Sequence, residues 1–565
     1  MYKDRFLEEL RDSLTDWENT TLKERLAKVQ ENRPEFRSGS GEFITERIYT
    51  PLHTDGLDYK DDIGFPGQYP FTRGIDPVGY RAFRSPLGFY AGYGSGESAN
   101  RRYRQLYAAG SRDIGLALDL PTQLGMDSDD PLAEGEVGKV GLAIDTVADL
   151  ERALRGIPLS GLKTGTVGNC IGPWVLALFL VLCERGGLQP SQVGIRLQND
   201  PFKEYTGRGT FIFNPTVAVD MASDVVAYMD QHVSAWEPQW SCTTTMRWGG
   251  CTASQEVGFG VANLLCYARA AQAKGVDPEN YMPRVDLHMS SDNDLFEEVA
   301  KFRAVRRLWA RIAEKEFRTR DPRVLSLRIS TYTAANRLTA QEPLNNVIRS
   351  TLHVLASMLA GIDHITAAAY DEALALPTFE SARLASLTKH ILNHENHIGH
   401  AVDPMGGSYY VESLTTQIEE KARYWYEQVE TLGGAKAAID TGYYLKEMAK
   451  GLYRDQIEIE KGERKVIGVN TFVLDRKVSI PLFKGDPKGE AKQIQRLNKT
   501  RQKRDKVRVT SSLDALSKTA GKKAKGEEIN IVPAILEAVR VDATEGEIFA
   551  VLRKVYGEYR PPAVF

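Results

Sequence analysis

The chain has 565 residues, of which 42% are hydrophobic, 26% charged and 9% aromatic, a balance that excludes wholesale disorder and the fibrous classes. Lys and Arg number 72 against 75 Asp and Glu, a net charge of -3, so the chain as a whole is no polyanion binder. The cysteines Cys170, Cys183, Cys242, Cys251 and Cys266 have no C-x-x-C spacing and point to a reduced, cytoplasmic setting.

The N-terminal MYKDRFLEELRDSLTDWE is charged throughout and lacks the apolar core of a signal peptide, so no secretion is expected. Residues 1–60 read as a helical arm followed by an extended, Gly- and Pro-punctuated segment that makes subunit contacts. Residues 61–425 hold eight short β-like runs: Pro86–Ala91, Ile114–Leu120, Lys163–Asn169, Val193–Gln198, Trp240–Thr245, Arg284–Met289, Leu325–Thr331 and Ile362–Thr366. Amphipathic stretches separate them, among them Ser98–Ala109, Asp145–Arg155, Pro215–His232, Ser254–Ala273, Asp294–Glu316 and Glu342–Leu359. Alternation of this kind builds parallel sheets with crossover helices, and eight units predict an α/β fold, a (β/α)8 TIM barrel. Pro173–Cys183 is too short to span a bilayer and reads as a buried helix; no membrane partner is expected.

The strands are apolar on one face only. Val193, Ile195 and Leu197 alternate with Arg196 and Gln198; Val285, Leu287 and Met289 with Arg284, Asp286 and His288; Leu325, Leu327 and Ile329 with Ser326, Arg328 and Ser330; Trp240, Cys242 and Thr244 with Ser241, Thr243 and Thr245. Successive side chains point to opposite faces, so the greasy face packs on helices and the polar one lines the bore. A polar bore predicts a solvated tunnel and a long, partly polar ligand threaded along it. An exposed antiparallel sheet is the alternative, disfavoured by the helical spacers.

Residues 426–565 read as a helical and basic linker region. Lys484–Lys525 carries 14 Lys/Arg against 4 Asp/Glu; without interleaved aromatics this is a solvated linker or a docking surface for an acidic partner, and nucleic acid is not expected. Gly92-Tyr93-Gly94-Ser95-Gly96 lacks the G-x-G-x-x-G register, and no Walker motif is present. His390, His394 and His397 are expected on one helical face, but H-E-x-x-H is absent and no metal is assigned.

Six segments occur in one order: Tyr69-Pro70-Phe71-Thr72-Arg73-Gly74, Asp119-Leu120-Pro121-Thr122 through Asp129, Gln198-Asn199-Asp200 with Lys203-Glu204-Tyr205, Asn345-Asn346-Val347-Ile348-Arg349, Tyr370-Asp371-Glu372-Ala373 and Asp403-Pro404-Met405-Gly406-Gly407-Ser408-Tyr409-Tyr410. Together they resemble the large subunit of the adenosylcobalamin-dependent acyl-CoA mutases, the methylmalonyl-CoA mutase family. The resemblance implies a barrel threaded by the pantetheine arm of coenzyme A, adenosylcobalamin at the C-terminal mouth, and radical rearrangement by a 1,2-shift. The family's cobalamin motif D-x-H-x-x-G is absent: Asp286-Leu287-His288 has Ser291 where glycine is required. The resemblance therefore implies that a separate small subunit supplies the lower ligand, in a heterotetramer or with a homodimer of large subunits.

By the same resemblance Tyr90 wedges between adenosyl group and substrate, Gln198 and Arg208 bind substrate, and Arg208 pairs with a free acyl carboxylate. Leu118, Leu120 and Glu372 fall on the cofactor side, and Arg284 on the coenzyme A phosphate side. Ala117 stands where hydroxyacyl-CoA mutases have aspartate. Thr245 replaces the catalytic histidine, Trp248 a glutamate, Tyr332 a substrate-binding glutamine, Ala368 an asparagine, and Pro86-Leu87-Gly88 the T-x-R that grips coenzyme A. A threonine hydroxyl donates a hydrogen bond but is no general acid near neutral pH. Three readings follow: a mutase for a carboxyl-bearing acyl-CoA, a mutase for an atypical acyl group or another carrier in a rebuilt pocket, or a non-catalytic scaffold for a cobalamin subunit.

Overall fold

The computed structural model describes residues 2–31, 33–82, 88–108, 110–362, 364–475 and 479–562. Within them lie the strands β1 (Gly88–Ala91), β2 (Asp113–Leu116), β3 (Lys163–Val167), β4 (Gly194–Gln198), β5 (Gln239–Cys242), β6 (Val285–Ser291), β7 (Arg328–Thr333) and β8 (His364–Thr366). Helices α1 (Gly96–Ala108), α2 (Val147–Leu154), α3 (Gly172–Arg185), α4 (Pro215–His232), α5 (Ala253–Ala273), α6 (Leu295–Phe317) and α7 (Asn345–Leu359) make the connections. The result is an α/β structure with all-parallel pairing, in two four-stranded sheets ordered β1-β2-β3-β4 and β5-β6-β7-β8. A bridge from Arg196 to Glu237 joins β4 to the approach of β5, with Leu197 N donating to Glu237 O at 3.0 Å and Glu237 N to Ile195 O at 2.8 Å. At the other end β8 lies beside β1, and no ladder joins the two among the described residues.

The helices start where short polar side chains follow a strand. Asn214 caps α4, Thr252 forms a capping box with Gln255 on α5, and Asp294 caps α6, each satisfying amide groups that have no partner within the helix. The strand read at Trp240–Thr245 ends at Cys242, because Thr244–Trp248 turns into a short helix. Leu325 is likewise no strand residue. Asp321 caps a helical turn at Pro322–Leu325, a start signal that overrides the alternation, and β7 begins at Arg328. Part of the first strand reading, residues 86–87, lies outside the described residues.

One core cluster packs β2, β3 and β4 against α3, whose residues Gly172–Cys183 are buried all round; another packs β6 and β7 against α5 and α6. Apolar on every side, α3 is covered on its outer face by a helix from the end of the chain. After β8 come α8 (Phe379–His394), α9 (Tyr409–Thr431), α10 (Gly489–Lys503), α11 (Lys506–Ala524), α12 (Val532–Arg540) and α13 (Glu545–Tyr556). The basic stretch forms α10 and α11, and part of its charge is directed inward to this chain while many of its lysines stay exposed. Arg501 pairs with Asp127 and Asp129 at 2.7 and 2.6 Å, Lys523 with Asp220 and Asp224 at 2.8 and 2.9 Å, and Val509, Leu516 and Ala520 join the core. The histidine face breaks up: α8 ends at His394, and His397 sits in left-handed backbone at φ 55°. Among the described residues no group of three His, Cys, Asp or Glu is arranged to hold a metal ion, and no helix is long and apolar enough to cross a membrane.

Candidate active site

Several side chains named from the sequence converge at the carboxyl ends of the strands. Tyr90, on β1, keeps 42% of its surface exposed. Surrounding protein nonetheless raises the pKa of its phenol, while the Arg208 guanidinium lowers it. Gln198 ends β4 and is buried; its side-chain oxygen accepts a hydrogen bond from Lys203 Nζ at 2.6 Å. Burial pulls the Lys203 pKa down. Sequence reasoning gave Lys203 no role, although its place five residues after Gln198 was visible.

Arg208 ends the turn Glu204–Arg208. Its Nη1 donates to Gln123 Oε1 at 2.8 Å and stands 3.9 Å from Glu204. That carboxylate is already engaged, since Asn169 Nδ2 and Thr210 Oγ1 both donate to it. Thr245 lies in the short helix Thr244–Trp248, against Gly207, where an added Cβ would come within 2.6 Å of Thr245 Cβ. Its hydroxyl is buried and has no hydrogen-bond partner among the described residues.

Tyr332, on β7, donates its phenolic hydrogen to Glu372, whose two oxygens lie 2.9 and 3.0 Å away. Trp248 stands edge-on to Tyr332, ring centroids 5.6 Å apart, and donates to Ser290 Oγ at 3.0 Å. Burial pushes the Glu372 carboxyl up to about 6 against the Tyr332 hydrogen bond, and burial with the facing carboxylate drives the Tyr332 phenol well up. The structure therefore brings Tyr90, Gln198, Arg208, Thr245, Tyr332 and Glu372 to one end of the molecule.

Other named residues lie elsewhere. Leu118 turns its side chain into the core, and its carbonyl accepts from Gln123 Nε2 at 2.7 Å. Leu120 opens the turn Leu120–Gln123 and is half-buried. Arg284 precedes β6 at its amino end, where Nη2 pairs with Asp230 at 2.7 Å and Nε donates to Asn280 O at 2.9 Å. Pro86 and Leu87 are outside the described residues.

The sequence profile described as methylmalonyl-CoA mutase matches residues 40–558. The chain belongs to the methylmalonyl-CoA mutase family. Relatives in it include the 2-hydroxyisobutanoyl-CoA mutase large subunit of Aquincola tertiaricarbonis, 35% identical over 558 residues, 99% of this chain and 98% of that one. The methylmalonyl-CoA mutase of Rhizobium meliloti is 33% identical over 549 residues, 97% of this chain and 76% of that one. The methylmalonyl-CoA mutase large subunit of Streptomyces virginiae is 35% identical over 515 residues, 91% of this chain and 70% of that one. Membership makes the mutase, an isomerase, the frame in which the site is read.

Proposed function

We propose that this protein is the large subunit of an adenosylcobalamin-dependent acyl-CoA mutase, acting by a 1,2-shift on a thioester whose acyl group carries a carboxylate, as methylmalonyl and succinyl groups do. Arg208 carries the reading. Its bond to Gln123 is to a neutral oxygen, and Glu204 is held by Asn169 and Thr210, which leaves guanidinium donors for a ligand. A guanidinium fork matches a carboxylate through two parallel N–H···O bonds. The methyl group of Ala117, where hydroxyacyl enzymes are expected to carry aspartate, favours an acid over a hydroxy acid despite the likeness to a 2-hydroxyisobutanoyl-CoA mutase subunit.

The two sheets are best taken as one (β/α)8 barrel. The β4–β5 bridge joins them on one side, and a single cavity draws its lining from Tyr90, Asp113, Gly165, Arg196, Trp240 and His364, that is, from β1, β2, β3, β4, β5 and β8. Adenosylcobalamin, when bound, supplies the homolytic bond cleavage that starts such a rearrangement. The chain's mouth fits such a group at Glu372, a hydrogen-bond acceptor for a sugar hydroxyl, at the exposed ring of Tyr90 and at Leu120; Leu118 offers no side chain there. The words "large subunit" in two relatives' names support a smaller partner that brings the lower ligand.

Within this reading Arg208 fixes the acyl carboxylate, and Lys203 orients the Gln198 amide. The unpartnered Thr245 hydroxyl donates to the thioester carbonyl without transferring a proton, and Tyr90 covers the reacting centre against water. The test reconstitutes the chain with a cobalamin-binding small subunit and adenosylcobalamin and follows conversion of succinyl-CoA to its branched isomer. Arg208→Gln is expected to raise the KM for the acid substrate by about tenfold or more, the worth of a hydrogen bond to a charged group. An unchanged KM, or turnover confined to uncharged acyl esters, would refute the assignment.

A further inference from the structure

The polar strand faces predict a tunnel, and its walls are unequal. Backbone pairing puts Tyr90 of β1, Gly115 of β2, Gly165 of β3 and Arg196 of β4 in one row, and side chains of such a row share a face of the sheet. The two glycines leave the row open between the tyrosine and the arginine. A Cβ at Gly165 would come within 1.9 Å of the Arg196 carbonyl oxygen, so no side chain can fill the gap. A cavity takes its place, about 370 Å³ counting the part open to solvent, lined by Tyr90, Asp113, Gly165, Arg196, Trp240 and His364.

Arg196 leans across β3, and its Nη2 meets both carboxylate oxygens of Asp113 at 3.2 Å. Its Nε and Nη1 donate to no partner among the described residues. The guanidinium lies over the Trp240 ring, 5.0 Å from the centroid, and Trp240 Nε1 donates to Ser330 Oγ of β7 at 2.9 Å, which holds the ring in place. Trp240 was read from the sequence as a residue of the helix-facing side of its strand; these contacts put it in the bore. Arg196 and Asp113 are both buried, and burial holds the His364 imidazole well below its ordinary pKa, so it is neutral. Among the described residues the cavity wall therefore carries one cation with donors to spare, one anion with lone pairs to spare, and no net charge.

That combination selects a chemistry. A phosphate at this depth would face the Asp113 carboxylate, and an alkyl chain would leave the guanidinium donors unmet. An amide satisfies both groups, its carbonyl accepting from Arg196 and its N–H donating to Asp113. Arg196 stands two residues, about 6.6 Å, inward of Gln198, and Asp113 about as far again. An arm hanging from a thioester held at Gln198 crosses this depth if it runs along the bore.

We propose that the Asp113–Arg196 pair determines specificity for the carrier, by recognising an amide in the arm from which the acyl group hangs. The proposal rests on the thioester reading above and extends it from the acyl group to the arm. The pair is preorganised, because Trp240 and Asp113 already fix the guanidinium, so an incoming amide gains its hydrogen bonds without ordering a mobile side chain.

The experiment is calorimetric binding of two esters, succinyl-CoA and succinyl propyl thioester, the second too short to reach the pair. The protein is the full chain with its small subunit and a cobalamin lacking the adenosyl group, so that nothing turns over. Arg196→Met is expected to weaken succinyl-CoA by about tenfold or more, the worth of a hydrogen bond to a charged group, and to leave the propyl ester within about twofold. The double variant Asp113→Asn/Arg196→Met strands no buried charge and is expected to show the same contrast, which guards against a single variant that fails to fold. An unchanged affinity for succinyl-CoA, or equal losses for the two esters, overturns the role of the pair and leaves the thioester reading standing. Binding of neither ester to the wild type overturns the thioester reading, and the proposal with it.

Discussion

Replacing Tyr332 by phenylalanine isolates one hydrogen bond at the centre of the site. The phenol gives its single hydrogen to a carboxylate whose oxygens lie at 2.9 and 3.0 Å, and among the described residues the only other donor to that group is Ala369 N at 3.3 Å. Burial already holds the Glu372 carboxyl up at about 6 while the phenol pulls it down. A hydrogen bond to a charged acceptor is worth about 1.5–3 kcal/mol, and one pKa unit corresponds to about 1.4 kcal/mol. Tyr332→Phe is therefore expected to raise the Glu372 midpoint by about one to two units, to roughly 7 to 8, so that the group carries a proton at neutral pH. Infrared titration of the protonated carboxyl stretch reads this directly, with Glu372→Gln identifying the band. The sign follows from linkage. A carboxyl raised in the folded state stabilises the fold below its ordinary pKa, and that contribution is lost as pH rises through the folded value. The wild type thus loses about 2 kcal/mol from this group between roughly pH 4.5 and 6, and the variant continues to lose stability up to about pH 8. A midpoint that stays within about 0.3 units of the wild type would refute the claim that the phenol stabilises the charged carboxylate.

Glu545, at the start of α13, is fully buried with both oxygens unpartnered among the described residues, and burial, then Asp127 and Asp145, push its carboxyl well up. These causes favour the neutral acid in the folded state, so the stability the group contributes fades as pH rises from the ordinary carboxyl range towards that elevated value; Glu545→Gln is expected to raise Tm more at pH 8 than at pH 5, and equal shifts at both would count against the assignment. Lys301 of α6, fully buried, bridges Glu256 and Glu298 at 2.6 and 2.5 Å. Lys301→Met leaves the buried Glu256 carboxylate without its cation and Glu298 with Arg247 at 3.4 Å, and is expected to cost about 3–5 kcal/mol in denaturant unfolding, whereas a loss below 1 kcal/mol would show the charges relaxing to water.

Much of the frame was legible from local pattern. The alternation of apolar and polar residues placed β4 and β6 to within a residue or two, and α4 at its full length, because a half-buried strand and an amphipathic helix leave periods of two and 3.6 in the sequence. The errors came where local chemistry competes with period. Thr243–Thr245 alternates like a strand, yet the chain turns helical at Thr244, and Asp321-Pro322 starts a turn inside what reads as continuous alternation.

The sequence by itself determined the family, the α/β order of elements, and which residue types stand at the site, since collinear motifs and periodicity are properties of the chain alone. Where charge is directed was decided only by tertiary structure. Lys301, Arg303 and Arg307 of α6 are buried against Glu256, Glu412 and Glu419. The basic helices α10 and α11 read as a linker and are docked on Asp127, Asp129, Asp220 and Asp224. Asp113, Arg196, Trp240 and Ser330 are separated by up to 217 positions and meet only because closely spaced parallel strands bring their inward side chains within reach of one another. Local pattern tells which face of a strand is polar. Whether that polar face lines a channel or closes it depends on side chains from other strands, and no single segment records them.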